Sequence, residues 1–105
     1  MGCPDKSVFH RGAGAALIIQ PKLAKEIILS VKKAAKDGAK KFNIKKYIPV
    51  SVKTRTGYKI PQTKEWISHL LEAEPDVICL HARTFAQKYS GLADWEQIGI
   101  AAETA

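Results

Sequence analysis

A chain of 105 residues with 46% hydrophobic and 26% charged residues is sized for one ordinary domain and is too apolar to stay disordered. Seven glycines and five prolines exclude collagen-like and low-complexity sequence, and no segment approaches the roughly 20 consecutive apolar residues of a membrane span. With 17 Lys and Arg against 10 Asp and Glu, the net charge of +7 favours polyanions such as nucleic acid.

The opening Met1-Gly2-Cys3-Pro4-Asp5-Lys6 lacks the apolar stretch of a signal peptide, so a cytoplasmic location is expected. From Met1 to Gln20 the chain reads as a Gly-containing loop leading into a short helix or turn. Pro21 suits the first turn of a helix. Leu23, Ile27, Val31 and Ala35 recur at helical spacing opposite Lys22, Lys25, Lys32 and Lys36, predicting an amphipathic helix over about 22–37 that Asp37-Gly38 would stop. The basic stretch after it, through Lys40, Lys41, Lys45 and Lys46, reads first as a solvated face and loop.

Ile48 to Lys53 is rich in β-branched residues and predicts a strand over about 48–54. Trp66, Ile67, Leu70 and Leu71 mark a helix over about 63–73, ended by Pro75. The apolar run from Asp76 to His81 predicts a strand over about 76–82. Asp94 is a candidate N-cap for a helix over about 94–104. Strands alternating with helices imply parallel βαβ units. Two parallel strands leave open edges, so the pattern predicts an α/β chain that is the central part of a larger unit, a (β/α)8 barrel or an open doubly wound sheet.

Side chains alternate between the faces of a strand. Val50, Val52, Ile78 and Leu80 then face the helices, while Lys53 and His81 end the opposite face at the carboxyl edge, where α/β folds place their ligands. The competing reading is a snorkelling lysine and a structural histidine. Cys3, in a tight Gly-Cys-Pro loop, is either inert or a general acid or nucleophile, since a thiol of pKa about 8.5 is mostly protonated at neutral pH. Cys79 reads as a small core residue. Cys3 and Cys79 have no metal-ligand or disulfide spacing. The Gly12-Ala13-Gly14 stretch lacks both the preceding strand and the acidic partner of a dinucleotide fingerprint.

Four ordered blocks nonetheless carry a resemblance: Gly2-Cys3-Pro4-Asp5-Lys6; Gly12 to Leu17; Val50-Ser51-Val52-Lys53-Thr54-Arg55-Thr56-Gly57; and His81-Ala82-Arg83-Thr84 with Gln87, Tyr89-Ser90-Gly91 and Ala93-Asp94-Trp95. Together they resemble the tRNA-dihydrouridine synthases, flavoproteins with an FMN-binding TIM barrel and a helical domain that reduce uridines in tRNA with NADPH. The resemblance implies that Cys3 protonates C5 of the uracil while reduced FMN delivers hydride to C6. It places Lys53 and His81 at the cofactor, and leaves Arg55, Arg83 and Lys88 to contact cofactor or RNA phosphates. Tyr89 and Trp95 are expected to pack, Trp95 against the barrel, in preference to stacking on RNA.

The implied partner is tRNA; no membrane, metal or oligomer is predicted. The chain alone is expected neither to bind FMN tightly nor to turn over, because other barrel strands and the helical domain lie outside it. Two other readings compete with this one: a flavin barrel of the dihydroorotate or dihydropyrimidine dehydrogenase type, and a non-catalytic basic RNA-binding remnant.

Overall fold

The computed structural model describes residues 1–105. It has a two-stranded parallel sheet with helices along the chain in the order expected of βαβ units. Strand β1 is Ser51–Arg55 and β2 is Val77–His81. The register pairs Ser51 with Val77, Lys53 with Cys79 and Arg55 with His81. Each strand is shorter than expected. Pro49 cannot donate to a ladder, and the Asp76 carboxylate occupies the Val50 N–H at 2.7 Å.

The opening segment folds further than a loop. Asp5 caps α1 (Lys6–His10), accepting from the Ser7 N–H at 2.9 Å, and these hydrogen bonds hold its carboxyl below the usual range. A 3-10 helix follows over Gly14–Ile19. Helix α2, Pro21–Lys41, runs past the predicted stop at Gly38. A Cβ at Gly38 would meet nothing within 4 Å, and the Lys33–Asp37 pair at 2.6 Å spans one turn just before it, so the glycine is carried inside the helix at modest entropic cost. The stop is supplied instead by Asn43, just past the Phe42 cap, whose φ of 53° supports the paired bonds Ile44 N–H to Ala39 O and Asn43 N–H to Lys40 O of a left-handed cap.

Helix α3 covers Thr63–Leu71, and α4 covers Trp95–Thr104 behind the Asp94 cap. The core lies between α2, α3 and one face of the sheet, with Ala24, Ile28, Val52, Trp66, Ile67 and Leu70 buried. Burying each large apolar side chain contributes about 1.5–3 kcal/mol. Trp66 also makes a polar contact within the core. Its Nε1–H donates to Thr54 Oγ1 at 2.9 Å, and that hydroxyl in turn donates to the Met1 carbonyl at 3.4 Å, so both buried groups are satisfied. Lys25 pairs with Glu72 at 2.8 Å, and Lys32 donates to the Glu74 carbonyl, which fastens α2 to the end of α3. No helix is long and apolar enough to cross a membrane.

Candidate active site at the carboxyl edge of the strands

The face of the sheet away from the core carries Ser51, Lys53 and Arg55 from β1 and Val77, Cys79 and His81 from β2, as the register requires. Cys79 is therefore not a core residue: it lies exposed beside Lys53, because position 79 has the parity of 53 and 81. Lys53 is also not level with His81. β1 runs two residues further than the lysine, and Arg55 occupies the position opposite the histidine.

Arg55 organises this edge. It is only 2% exposed. Its Nε donates to the Gly2 carbonyl at 2.8 Å, and its Nη1 donates to the carbonyls of Thr84 at 3.0 Å and Lys88 at 2.7 Å. The Tyr89 ring lies 5.4 Å from its guanidinium carbon. One planar cation thus joins the loop bearing Cys3 to the loop after β2, a geometry an ammonium cannot reproduce. Three of the N–H donors of Arg55, which was expected to contact cofactor or RNA phosphates, are directed inward, to backbone carbonyls. Burial, and to a lesser extent Arg83, lowers its pKa.

Cys3 is held by its backbone on both sides. The Met1 amino group donates to the Lys53 carbonyl at 2.9 Å, and Ala15 N–H donates to the Cys3 carbonyl at 2.9 Å. Gly14, with φ of 59°, packs so closely that a Cβ there would come within 2.7 Å of Cys3 O and 2.9 Å of Val8 Cγ1. The backbone is fixed while the residue stays exposed. His81 sits 6.4 Å from the Tyr89 ring, centroid to centroid. Burial, then the charges of Arg55, Lys53 and Arg83, push its pKa below the ordinary imidazole value, which favours the neutral form.

The loop from Arg83 to Leu92 is folded back on itself. Thr84 N–H donates to Gln87 Oε1 at 2.9 Å while Gln87 N–H donates to Thr84 Oγ1 at 3.2 Å. Arg83 Nη2 holds the Gly91 carbonyl at 2.7 Å, and its buried Nε has no partner. Lys88 adopts φ of 50°, its carbonyl turned to Arg55 and its side chain exposed. A stack of three rings binds this loop to the others: Phe9 of α1 lies 4.3 Å from Phe85 and 5.6 Å from Tyr58. Offset aromatic pairs contribute about 0.5–1.5 kcal/mol each beyond burial. Tyr89 and Trp95 are 73% and 79% exposed in this chain; Tyr89 touches the site through its ring, and Trp95 starts α4.

The carboxyl edge therefore gathers the Cys3 loop, Lys53, Arg55, His81, Arg83 and Lys88. The sequence reading missed the inward role of Arg55, the Asp5 cap and the Phe9–Tyr58–Phe85 stack. The Asp-Lys-Ser cap signature was the one legible signal among these.

The sequence profile of the dihydrouridine synthase (Dus) family matches residues 1–102. The chain is 38% identical over 99 residues to the "Probable tRNA-dihydrouridine synthase 2" of Bacillus subtilis, covering 93% of this chain and 27% of that protein. It is equally similar to the "Probable tRNA-dihydrouridine synthase" of Staphylococcus aureus, covering 93% of this chain and 26% of the relative. The Staphylococcus epidermidis protein of the same name is 37% identical over 99 residues. The chain thus spans about a quarter of the length of these curated relatives. With a profile match across nearly its whole length, the chain belongs to the dihydrouridine synthase family.

Proposed function

We propose that the protein carrying this chain reduces uridine to 5,6-dihydrouridine in tRNA, using FMN with NADPH as reductant, and that residues 1–105 form the central part of its (β/α)8 barrel. The observation that carries this reading is the Arg55 bridge. It ties the Gly2-Cys3 backbone to the loop that follows His81, so an exposed thiol and an imidazole belong to one edge.

The side chains fit a flavin by their chemistry. An exposed ammonium at Lys53 and the imidazole of His81 suit a planar heterocycle rich in oxygen and nitrogen acceptors, with Lys53 and His81 as the residues that would hold it. FMN, when bound, supplies the hydride for C6 of the uracil. The chain itself provides the proton. Hydride addition leaves negative charge on the base, and the Cys3 thiol gives its proton to C5, so one hydride and one proton saturate the C5=C6 bond. General acid catalysis of this kind contributes about 10²- to 10⁴-fold.

Arg55 acts as a positioning residue: it sets where Cys3 stands relative to His81 without meeting substrate. The exposed Lys88, together with Arg83, is assigned to RNA phosphates. The neutral form favoured at His81 adds no second cation to the Lys53 ammonium and leaves a hydrogen-bonding edge for the ring system.

The test is the full-length protein, supplied with NADPH and either unmodified tRNA transcript or free pyrimidines. Dihydrouridine formed in tRNA alone is the expected outcome. Reduction of free pyrimidines alone would assign the protein to the other flavin-barrel chemistry, and RNA binding with no reduction of either would leave a binding remnant.

A further inference from the structure

The opposite end of the sheet carries a second concentration of charge. Between the carboxyl half of α2 and the segment leading into β1 lies an open groove of about 640 Å³. Lys36, Lys40, Lys45 and Lys46 line it, and none of the four has a salt-bridge partner. Two other groove lysines are engaged: Lys33 with Asp37, and Lys32 with the Ala73 and Glu74 carbonyls. The nearby carboxylate of Asp76 is occupied by the Val50 N–H and the Tyr47 hydroxyl, which lower its pKa.

Lysines near the end of a helix offset its macrodipole, which accounts for Lys40 and Lys41. It does not account for Lys45 and Lys46, which lie beyond the cap. Nor does it account for two aromatic rings left in solvent among these charges: Phe42 is 71% exposed and Tyr47 is 70% exposed. Lys41 Nζ lies 5.6 Å from the Phe42 ring centre. Free ammonium groups interleaved with exposed aromatic faces are what a nucleic-acid strand requires: cations for the phosphates and rings on which bases stack.

We infer that this groove is a second RNA-contact surface, at the pole of the sheet opposite Cys3, where Lys36, Lys40, Lys45 and Lys46 hold the phosphate backbone, Tyr47 offers a stacking face within the groove and Phe42 offers one beside it. The identity of the RNA as the enzyme's tRNA rests on the function proposed above; the contact chemistry does not. A tRNA engaged at both poles is anchored by the groove while a uridine is presented at the other edge. The groove therefore contributes to binding and nothing to the chemical step.

The experiment uses the full-length protein with unmodified tRNA transcript, comparing it with a Lys40→Glu/Lys45→Glu/Lys46→Glu variant and a Lys40→Arg/Lys45→Arg/Lys46→Arg variant. Circular dichroism establishes that each is folded. In the Glu variant the slope of log affinity against log salt should become shallower by about 2 to 3, with affinity near 0.1 M salt falling about 10-fold or more. KM for tRNA should rise with kcat unchanged, and NADPH-driven flavin reduction should be unaffected. The Arg variant should keep the parental slope. A parental slope in the Glu variant, or equal loss in both variants, would overturn the inference and leave uridine reduction standing. A shallower slope in a protein that reduces no uridine would uphold the groove and remove the enzyme reading.

Discussion

The two poles of this short sheet use positive charge in opposite ways. At the carboxyl edge, Arg55 turns inward and directs three N–H donors to the carbonyls of Gly2, Thr84 and Lys88. At the amino edge, Lys36, Lys40, Lys45 and Lys46 point their charge at solvent around an open groove. The difference follows from side-chain chemistry. A guanidinium is a rigid fork that can bridge several acceptors while buried, whereas an ammonium is strongly hydrated and keeps its head in water. One pole is thereby made stiff enough to hold reacting groups, and the other stays adaptable.

This contrast is most vulnerable at Arg55. Arg55→Ala strands three carbonyls and should cost about 3–5 kcal/mol of stability. Arg55→Lys should cost about 2–3 kcal/mol, because one ammonium cannot reach both loops. Urea denaturation measures both, and a loss below about 1 kcal/mol for Arg55→Ala would contradict the bridging role. Next in size is Gly14→Ala, which adds a Cβ against Cys3 O at a φ of 59°. It should cost about 1–3 kcal/mol and lower uridine reduction with it, since the displaced neighbour is the Cys3 backbone.

The pH response belongs to the same rigid pole. His81 has its pKa lowered below 6.5 by burial and by Arg55, Lys53 and Arg83. Well above pH 6.5 both folded and unfolded chains hold it neutral, and it contributes nothing to the pH dependence. As pH falls through 6.5 the unfolded chain takes up the proton first, so stability declines until the folded imidazole titrates as well. NMR titration should find its midpoint below 6.5 and moving upward in Lys53→Met. The smallest effect belongs to the other pole: Lys45→Glu/Lys46→Glu should change stability by no more than about 0.5 kcal/mol, since neither lysine holds another group in place.

Much of the carboxyl edge was legible in the sequence because strand parity is a strict rule. Once Val52 and Leu80 are assigned to the helix side, Lys53 and His81 must share the other. The same rule places Cys79 beside Lys53, but its apolar neighbours suggested a core residue. Arg55 was harder to read. Its carbonyl partners lie 29 to 53 residues away in sequence, and backbone acceptors leave no residue-type signature. The end of α2 was misplaced for a local reason: Gly38 is a stop only if the chain there adopts a left-handed turn, and Asn43 takes that conformation instead.

The proposed chemistry is tested most closely by separating the two half-reactions in Cys3→Ala of the full-length protein. Stopped-flow spectroscopy follows NADPH-driven flavin reduction, and oxidation of the reduced enzyme by tRNA is followed apart from it. If Cys3 is the proton donor, the first rate is retained while the second falls by at least about 100-fold. Equal loss of both rates, or full retention of the second, would remove Cys3 from that role.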